Sequence, residues 1–152
     1  MPVRMELARI LIRELADYQI IELREVLPEP DEPLDESEMY ERLRAARKFP
    51  IVIGLPEAQA IDRRLKNIPI KRPQTHDLLA NVMTELGATL DSITISDLDD
   101  HTFFATLDVT TKDGKKLHID ARPSDAIALG IAQQVPIFVE EHVLENALRE
   151  EA

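Results

Sequence analysis

Apolar positions along the chain alternate between a two-residue period and a spacing of three to four residues, which predicts strands and helices interleaved in one fold. From Met5 to Arg24 there are two apolar runs, Leu7 to Leu15 and Tyr18 to Leu23, separated by Ala16 and Asp17. They read as a β-hairpin, although Met5 to Leu15 alone has helical propensity. Pro28, Pro30 and Pro33 then stand among Glu29, Asp31, Glu32, Asp35 and Glu36. This opens an acidic, proline-rich insertion at about residues 28–48, whose first part is an exposed loop with little apolar surface to offset ordering. Asp35 and Glu38 have the spacing of a capping box, and Met39, Leu43 and Ala46 follow at helical intervals, so Glu36 to Lys48 is predicted as a short amphipathic helix.

Phe49 to Gly54 reads as a buried strand leaving on a glycine, and Pro56 opens a helix with Ala58, Ile61 and Leu65 on one face. Thr75 is placed as the N-cap of the next helix, where Leu78, Leu79, Val82, Met83 and Leu86 form a broad apolar stripe before Gly87 ends it. Three strands follow at Thr89 to Leu98, His101 to Thr111 and Lys115 to Asp120, with turns at Asp99-Asp100 and Asp113-Gly114, so an antiparallel meander is expected. Pro123 begins a helix whose segment Ala126 to Ala132 has no polar face and must be buried. Val135 to Val139 is a short strand, and Glu140 to Glu150 a terminal helix with Val143, Leu144, Ala147 and Leu148 inward. The expected fold class is α+β: one domain over residues 1–152, with a mixed, largely antiparallel sheet, a buried helix and flanking helices.

Composition narrows the chemistry. The chain has 152 residues and no cysteine, so thiolate metal sites, disulfides and cysteine nucleophiles are excluded, and catalysis must rest on histidine, carboxylates, hydroxyls or a metal held by oxygen and nitrogen. No apolar run approaches membrane-spanning length and the N-terminus lacks a secretory pattern, so the expectation is a soluble, cytoplasmic protein without a membrane partner. The formal net charge of −11 repels nucleic acid unless a basic patch is segregated from the rest.

Two polar segments could carry chemistry. In Arg72-Pro73-Gln74-Thr75-His76-Asp77, His76 could act as a base or metal ligand, Asp77 could orient it or bind a hard cation, and Arg72 could hold a phosphate oxygen. In Asp120-Ala121-Arg122-Pro123-Ser124-Asp125, Asp120 and Asp125 could share a divalent ion while Arg122 or Ser124 contacts an anion. Each segment also has a structural reading, with Thr75 and Asp77 satisfying one helix start and an Asp–Arg ion pair with Ser124 satisfying the other. Spacing alone favours the structural reading of both. Glu57 and Asp62 read as solvated surface, and His101, His118 and His142 lack ligand spacing.

Taken in order, Ile53 to Ile61, Arg72 to Leu79, Thr102 to Ala105, Asp120 to Leu129 and Val135 to Val139 make the chain resemble the bifunctional nuclease domain family. Gln74 stands where that family commonly has an apolar residue, His101 where it has a turn glycine, Leu55-Pro56 alters the strand exit, and the acidic insertion lengthens the loop before Phe49. The resemblance implies an α+β fold, frequent self-association, with a symmetric dimer favoured, and cleavage of DNA and RNA by some members. The expected function is thus a metal-dependent phosphodiesterase acting on DNA or RNA. His76, Asp77, Asp120 and Asp125 would be catalytic, Arg72, Arg122 and Ser124 would bind substrate, and Asp120 and Asp125 would hold Mg²⁺ or Mn²⁺. The alternative is a non-catalytic oligomeric or regulatory domain in which the same residues fasten two helix starts to the sheet. Both readings require the His76-Asp77 and Asp120-to-Asp125 segments to meet in space.

Overall fold

A computed structural model of the protein describes residues 1–13 and 15–151, leaving Glu14 and Ala152 outside the described residues. The first hairpin consists of β1 (Val3–Leu11) and β2 (Gln19–Glu25), followed by α1 (Glu36–Ala45), β3 (Lys48–Ile53), α2 (Leu55–Leu65) and α3 (Thr75–Glu85). The meander β4 (Thr89–Asp99), β5 (Thr102–Thr110) and β6 (Lys116–Ala121) comes next, then α4 (Pro123–Gln133), β7 (Ile137–Val139) and α5 (Glu141–Glu151). The strands form one sheet in the order β3-β2-β1-β7-β4-β5-β6. All pairings are antiparallel except that of β7 with β4, so the short β7 joins the N-terminal hairpin layer to the meander.

Strand alternation explains which face is buried. The register aligns Met5, Ile137, Ile93, Leu107 and Ile119 in one row across five strands, facing the helices. Burial runs from near-complete at Ile93 to 44% exposure at Ile119, where the sheet ends on β6. The neighbouring row, Arg4, Phe138, Thr94, Thr106 and Asp120, faces the other way and is not fully buried at any position. On the helix side, α4 buries Ala126, Ile127, Ala128, Leu129 and Gly130, as its uniformly apolar sequence requires. α5 buries Val143, Leu144 and Ala147 and touches both β3 and β4, which have three other strands between them. The sheet must therefore curl around it, and the Phe49 ring of β3 stacks on Phe103 of β5 at 5.4 Å.

Several local expectations need correction. The capping box of α1 is present, with the Glu38 amide donating to Asp35 Oδ1 at 2.8 Å, but α1 buries no residue and Met39 and Leu43 are exposed. The first helical turn of α3 closes one residue early, at Gln74 rather than Thr75, because the Asp77 carboxylate accepts the Gln74 amide at 2.9 Å. The turn between β4 and β5 falls on Asp100-His101, since Asp99 pairs with Thr102, and both turn residues have positive φ, as a primed hairpin turn demands. Leu78, Leu79, Val82 and Leu86 are exposed, and only Ala80 and Met83 of α3 pack toward the core.

The acidic segment is an excursion from an otherwise continuous β2–β3 hairpin. Arg24 pairs with Lys48, the Glu25 amide donates to the Arg47 carbonyl, and the Arg47 guanidinium binds Glu25 at 2.7 Å and Glu141 at 2.6 Å. The Arg47 hydrogen bond to Glu25 holds that carboxyl below its ordinary range. Because the base of the excursion is closed by this network and α1 buries nothing, its length adds little beyond loop entropy. Replacing residues 27–45 with an Asn-Gly turn between Val26 and Ala46 is expected to change unfolding free energy by less than about 1 kcal/mol, as read by urea denaturation. A larger loss would show that α1 belongs to the folded unit.

Candidate functional site at two helix starts

α3 and α4 begin side by side. His76 and Asp125, separated by 49 positions, meet where the His76 Nε2 lies 2.9 Å from Asp125 Oδ1. Arg122, the residue before Pro123, donates from Nε to Asp125 Oδ2 at 2.9 Å and from Nη2 to Oδ1 at 3.1 Å, and its Nη1 reaches Glu57 Oε1 at 2.9 Å. The result is a chain of alternating charge from Glu57 through Arg122 and Asp125 to His76. Burial pushes the Asp125 carboxyl upward, but its hydrogen bonds from Arg122 and His76 outweigh that and hold it below the ordinary carboxylate range. The Asp125 hydrogen bond likewise raises Arg122.

Gly54, at the N-cap of α2, makes this arrangement possible. A Cβ at that position would stand 2.5 Å from Glu57 Oε2, so a side chain there would displace the carboxylate that reaches Arg122. Beside the network is a cavity of about 630 Å³ lined by Gly54, His101, Phe103, Arg122, Pro123 and Ser124, among others. Arg122 is 63% exposed, whereas the His76 side chain is only 14% exposed. Ser124 is buried, so it meets the cavity as part of its wall.

The remaining candidates sit elsewhere. Asp77 turns away from Asp125 and accepts Arg63 Nη2 at 2.9 Å and Arg64 Nη2 at 2.8 Å, both from α2. Burial raises the Asp77 carboxyl, while the Gln74 amide and the two arginines together lower it further. Arg72 is exposed and makes no ion pair among the described residues. Asp120 lies opposite Thr106 on the outer face of β6, while Ala121 takes the helix side. The two carboxylates expected to share an ion therefore do not face one another: both Asp125 oxygens are taken by Arg122 and His76, and Asp120 is on the other face. Among the described residues no three His, Asp or Glu side chains converge to hold a metal, so the donor set does not fit a protein-held Mg²⁺ or Mn²⁺.

Another cluster was not anticipated. On the outer face of the meander, Asp108 accepts the hydroxyls of Ser92 at 2.7 Å, Thr94 at 2.6 Å and Thr106 at 3.0 Å, with His118 Nδ1 at 2.9 Å. Burial pushes the Asp108 carboxyl up, and these bonds together hold it below the ordinary range. His118 thus has a carboxylate partner that its sequence spacing conceals. The available signal was alternation, because Thr106 and Asp108 share a strand face with Leu107 and Val109 opposite.

Residues 40–151 match the bifunctional nuclease domain. The chain belongs to the bifunctional nuclease domain family. It is also 40% identical over 101 residues to two proteins from different strains of Mycobacterium tuberculosis, Uncharacterized protein MT1877 and Uncharacterized protein Rv1829. Each alignment covers 66% of this chain and 59% of the relative's length. Among the described residues of this bifunctional nuclease domain, no helix is long and apolar enough to cross a membrane.

Two outcomes test these placements. Arg64 is only 4% exposed and its charge is offset by Asp77, so Asp77→Asn is expected to cost about 3 kcal/mol of stability in denaturant titration, because it leaves a buried guanidinium without a counter-charge. Asp77, Asp108 and Asp125 all have folded pKa values below the ordinary carboxylate value, so the native state binds fewer protons than the unfolded one. Their stabilisation is complete above the unfolded value of about 4 and disappears as pH falls through the lower folded values. Thermal melts are expected to hold steady from pH 7 to about 5 and to drop below about 4, with a shallower drop in Asp125→Asn.

Proposed function

We propose that this domain is a nuclease acting on phosphodiester bonds of DNA or RNA, with Arg122 binding phosphate and His76 transferring protons. The carrying observation is that an exposed guanidinium and a histidine bond the same carboxylate, and that this guanidinium lines an open cavity. A phosphate held by Arg122 therefore lies close to an imidazole whose orientation Asp125 sets. With Nε2 engaged by Asp125, Nδ1 is the nitrogen left to accept a proton from an attacking hydroxyl or water. The new P–O bond forms as the bond to the leaving oxygen breaks, and Arg122 offsets the charge that develops on the phosphoryl oxygens. Family membership supports the reaction class, and DNA or RNA as the substrate is part of this proposal.

The same geometry favours a second reading, because Glu57, Arg122, Asp125 and His76 already satisfy one another, and the net charge of −11 opposes nucleic acid. In that reading the network fastens α3 and α4 together in a non-catalytic interaction domain. A nuclease assay on pure protein, run with Mg²⁺, with Mn²⁺ and with EDTA, decides between them. The nuclease reading expects cleavage that falls about a hundredfold in both His76→Ala and Arg122→Ala whichever cation is added. Activity that ignores the substitutions would belong to a contaminant, and folded wild-type protein without activity would leave the interaction domain.

A further inference from the structure

A second cavity lies where α2 and α4 end, whereas the Arg122 network lies where they begin. It measures about 460 Å³, within the ~300–1,000 Å³ range of small-molecule sites. The end of α2 places Leu65 and Asn67 in its wall, the end of α4 places Ile131 and Gln134 there, and β1 contributes Arg4 and Met5. Eleven residues of α2, about 16 Å of helix, separate Gly54 in the first cavity from Leu65 in this one.

The cavity wall carries unbalanced positive charge. Arg64 lines it with a side chain only 4% exposed, and it shares the single Asp77 carboxylate with Arg63. Arg64 Nη2 donates to Asp77, Nη1 makes only a long 3.5 Å approach to the Ala60 carbonyl, and Nε is buried with no partner. Burial holds the Arg64 guanidinium below its ordinary range; Asp77 opposes this, and the neighbouring Arg63 adds to it. On β1, Arg4 is exposed and makes no ion pair among the described residues, while Arg24 holds the Glu6 carboxylate at 2.9 Å. The charged groups of the wall and their partners thus set four guanidiniums, Arg4, Arg24, Arg63 and Arg64, against two carboxylates, Glu6 and Asp77. In a chain of net charge −11 this is a local positive excess, and a further anion stabilises a buried cation that is short of acceptors.

Helix C-termini ordinarily oppose an anion, because their last carbonyls are unsatisfied. Here Asn67 and Gln134 take the left-handed conformation and close both ends. The Lys66, Asn67 and Ile68 amides donate to the carbonyls of Asp62, Arg64 and Arg63, and those of Gln134 and Val135 to Ile131 and Gly130. The side-chain amides of Asn67 and Gln134 remain in the cavity wall as donors for an oxyanion. The rest of the wall is aliphatic, with Val26 and Leu65 left 38% and 46% exposed, and no aromatic ring among the described residues lines it to stack a base. We propose that this cavity binds a small amphipathic anion, a carboxylate or phosphate monoester, with its oxyanion on Arg4 and Arg64 and its aliphatic body against Leu65, Ile131 and Val135. The site is separate from the Arg122 cavity and stands whether or not the domain is a nuclease.

Titration of the whole chain with octanoate, octyl phosphate and the uncharged octanol, followed through backbone amide resonances, tests the assignment. The anions are expected to shift Asn67, Ala132 and Gln134 saturably and to leave His101 and Ser124 unmoved, with octanol binding about tenfold more weakly or less. The tighter of the two anions identifies the headgroup. Arg4→Gln, at an exposed position, is expected to weaken anion binding about fivefold, and Ala132→Trp, which adds bulk at an exposed position of the wall, to abolish it. Because Asp77→Asn leaves Arg64 without its counter-charge, octanoate is expected to raise the melting temperature of that variant more than that of the wild type. No saturable shift with either anion up to ~10 mM, octanol binding as tightly as the anions, shifts centred on His101 and Ser124, or wild-type affinity in Arg4→Gln would overturn the proposal.

Discussion

Burial of α4 is the constraint on which the rest of the structure depends. A helix reading Ala126 to Ala132 with no charged position cannot lie on a surface, so α2, α3, β4 and β5 close over it. The chain leaves α4 through Gln134 in the left-handed conformation and returns at once as β7, slipping three residues between β1 and β4. That short insertion joins two antiparallel layers into one sheet. Gly130 permits it, since a Cβ there would stand 3.1 Å from Val135 and 3.6 Å from Ile93.

The same burial positions the polar groups. Packing α3 against α4 brings two helix starts together, and the partial positive charge there draws carboxylates in. Asp125 and Asp77 answer that field differently. Asp125 takes the local Arg122 and the distant His76, whereas Asp77 reaches across to neutralise Arg63 and Arg64, whose Nε atoms are buried without a partner. Asp77 thus compensates a charge that α2 carries into the interior, and its role is stability. Arg122 pairs with both Asp125 and Glu57 and yet remains mostly in water.

Periods, caps and turns were legible in the chain itself because they depend on neighbours within a few positions. The capping box of Asp35 and Glu38, the apolar α4, the meander and its Gly114 turn all follow from local spacing. The meeting of the His76 and Asp125 segments was also readable, since both lie at helix starts that a common core pulls together. Tertiary structure alone decided what each charge faces. Asp120 and Asp125 are five residues apart, yet strand alternation and the turn into α4 send them to different sides, and Asp108 and His118 become partners only through the β5–β6 register. The stripe on α3 repeats at core spacing yet stays exposed, because periodicity identifies an apolar face while the packing of other elements determines whether anything covers it.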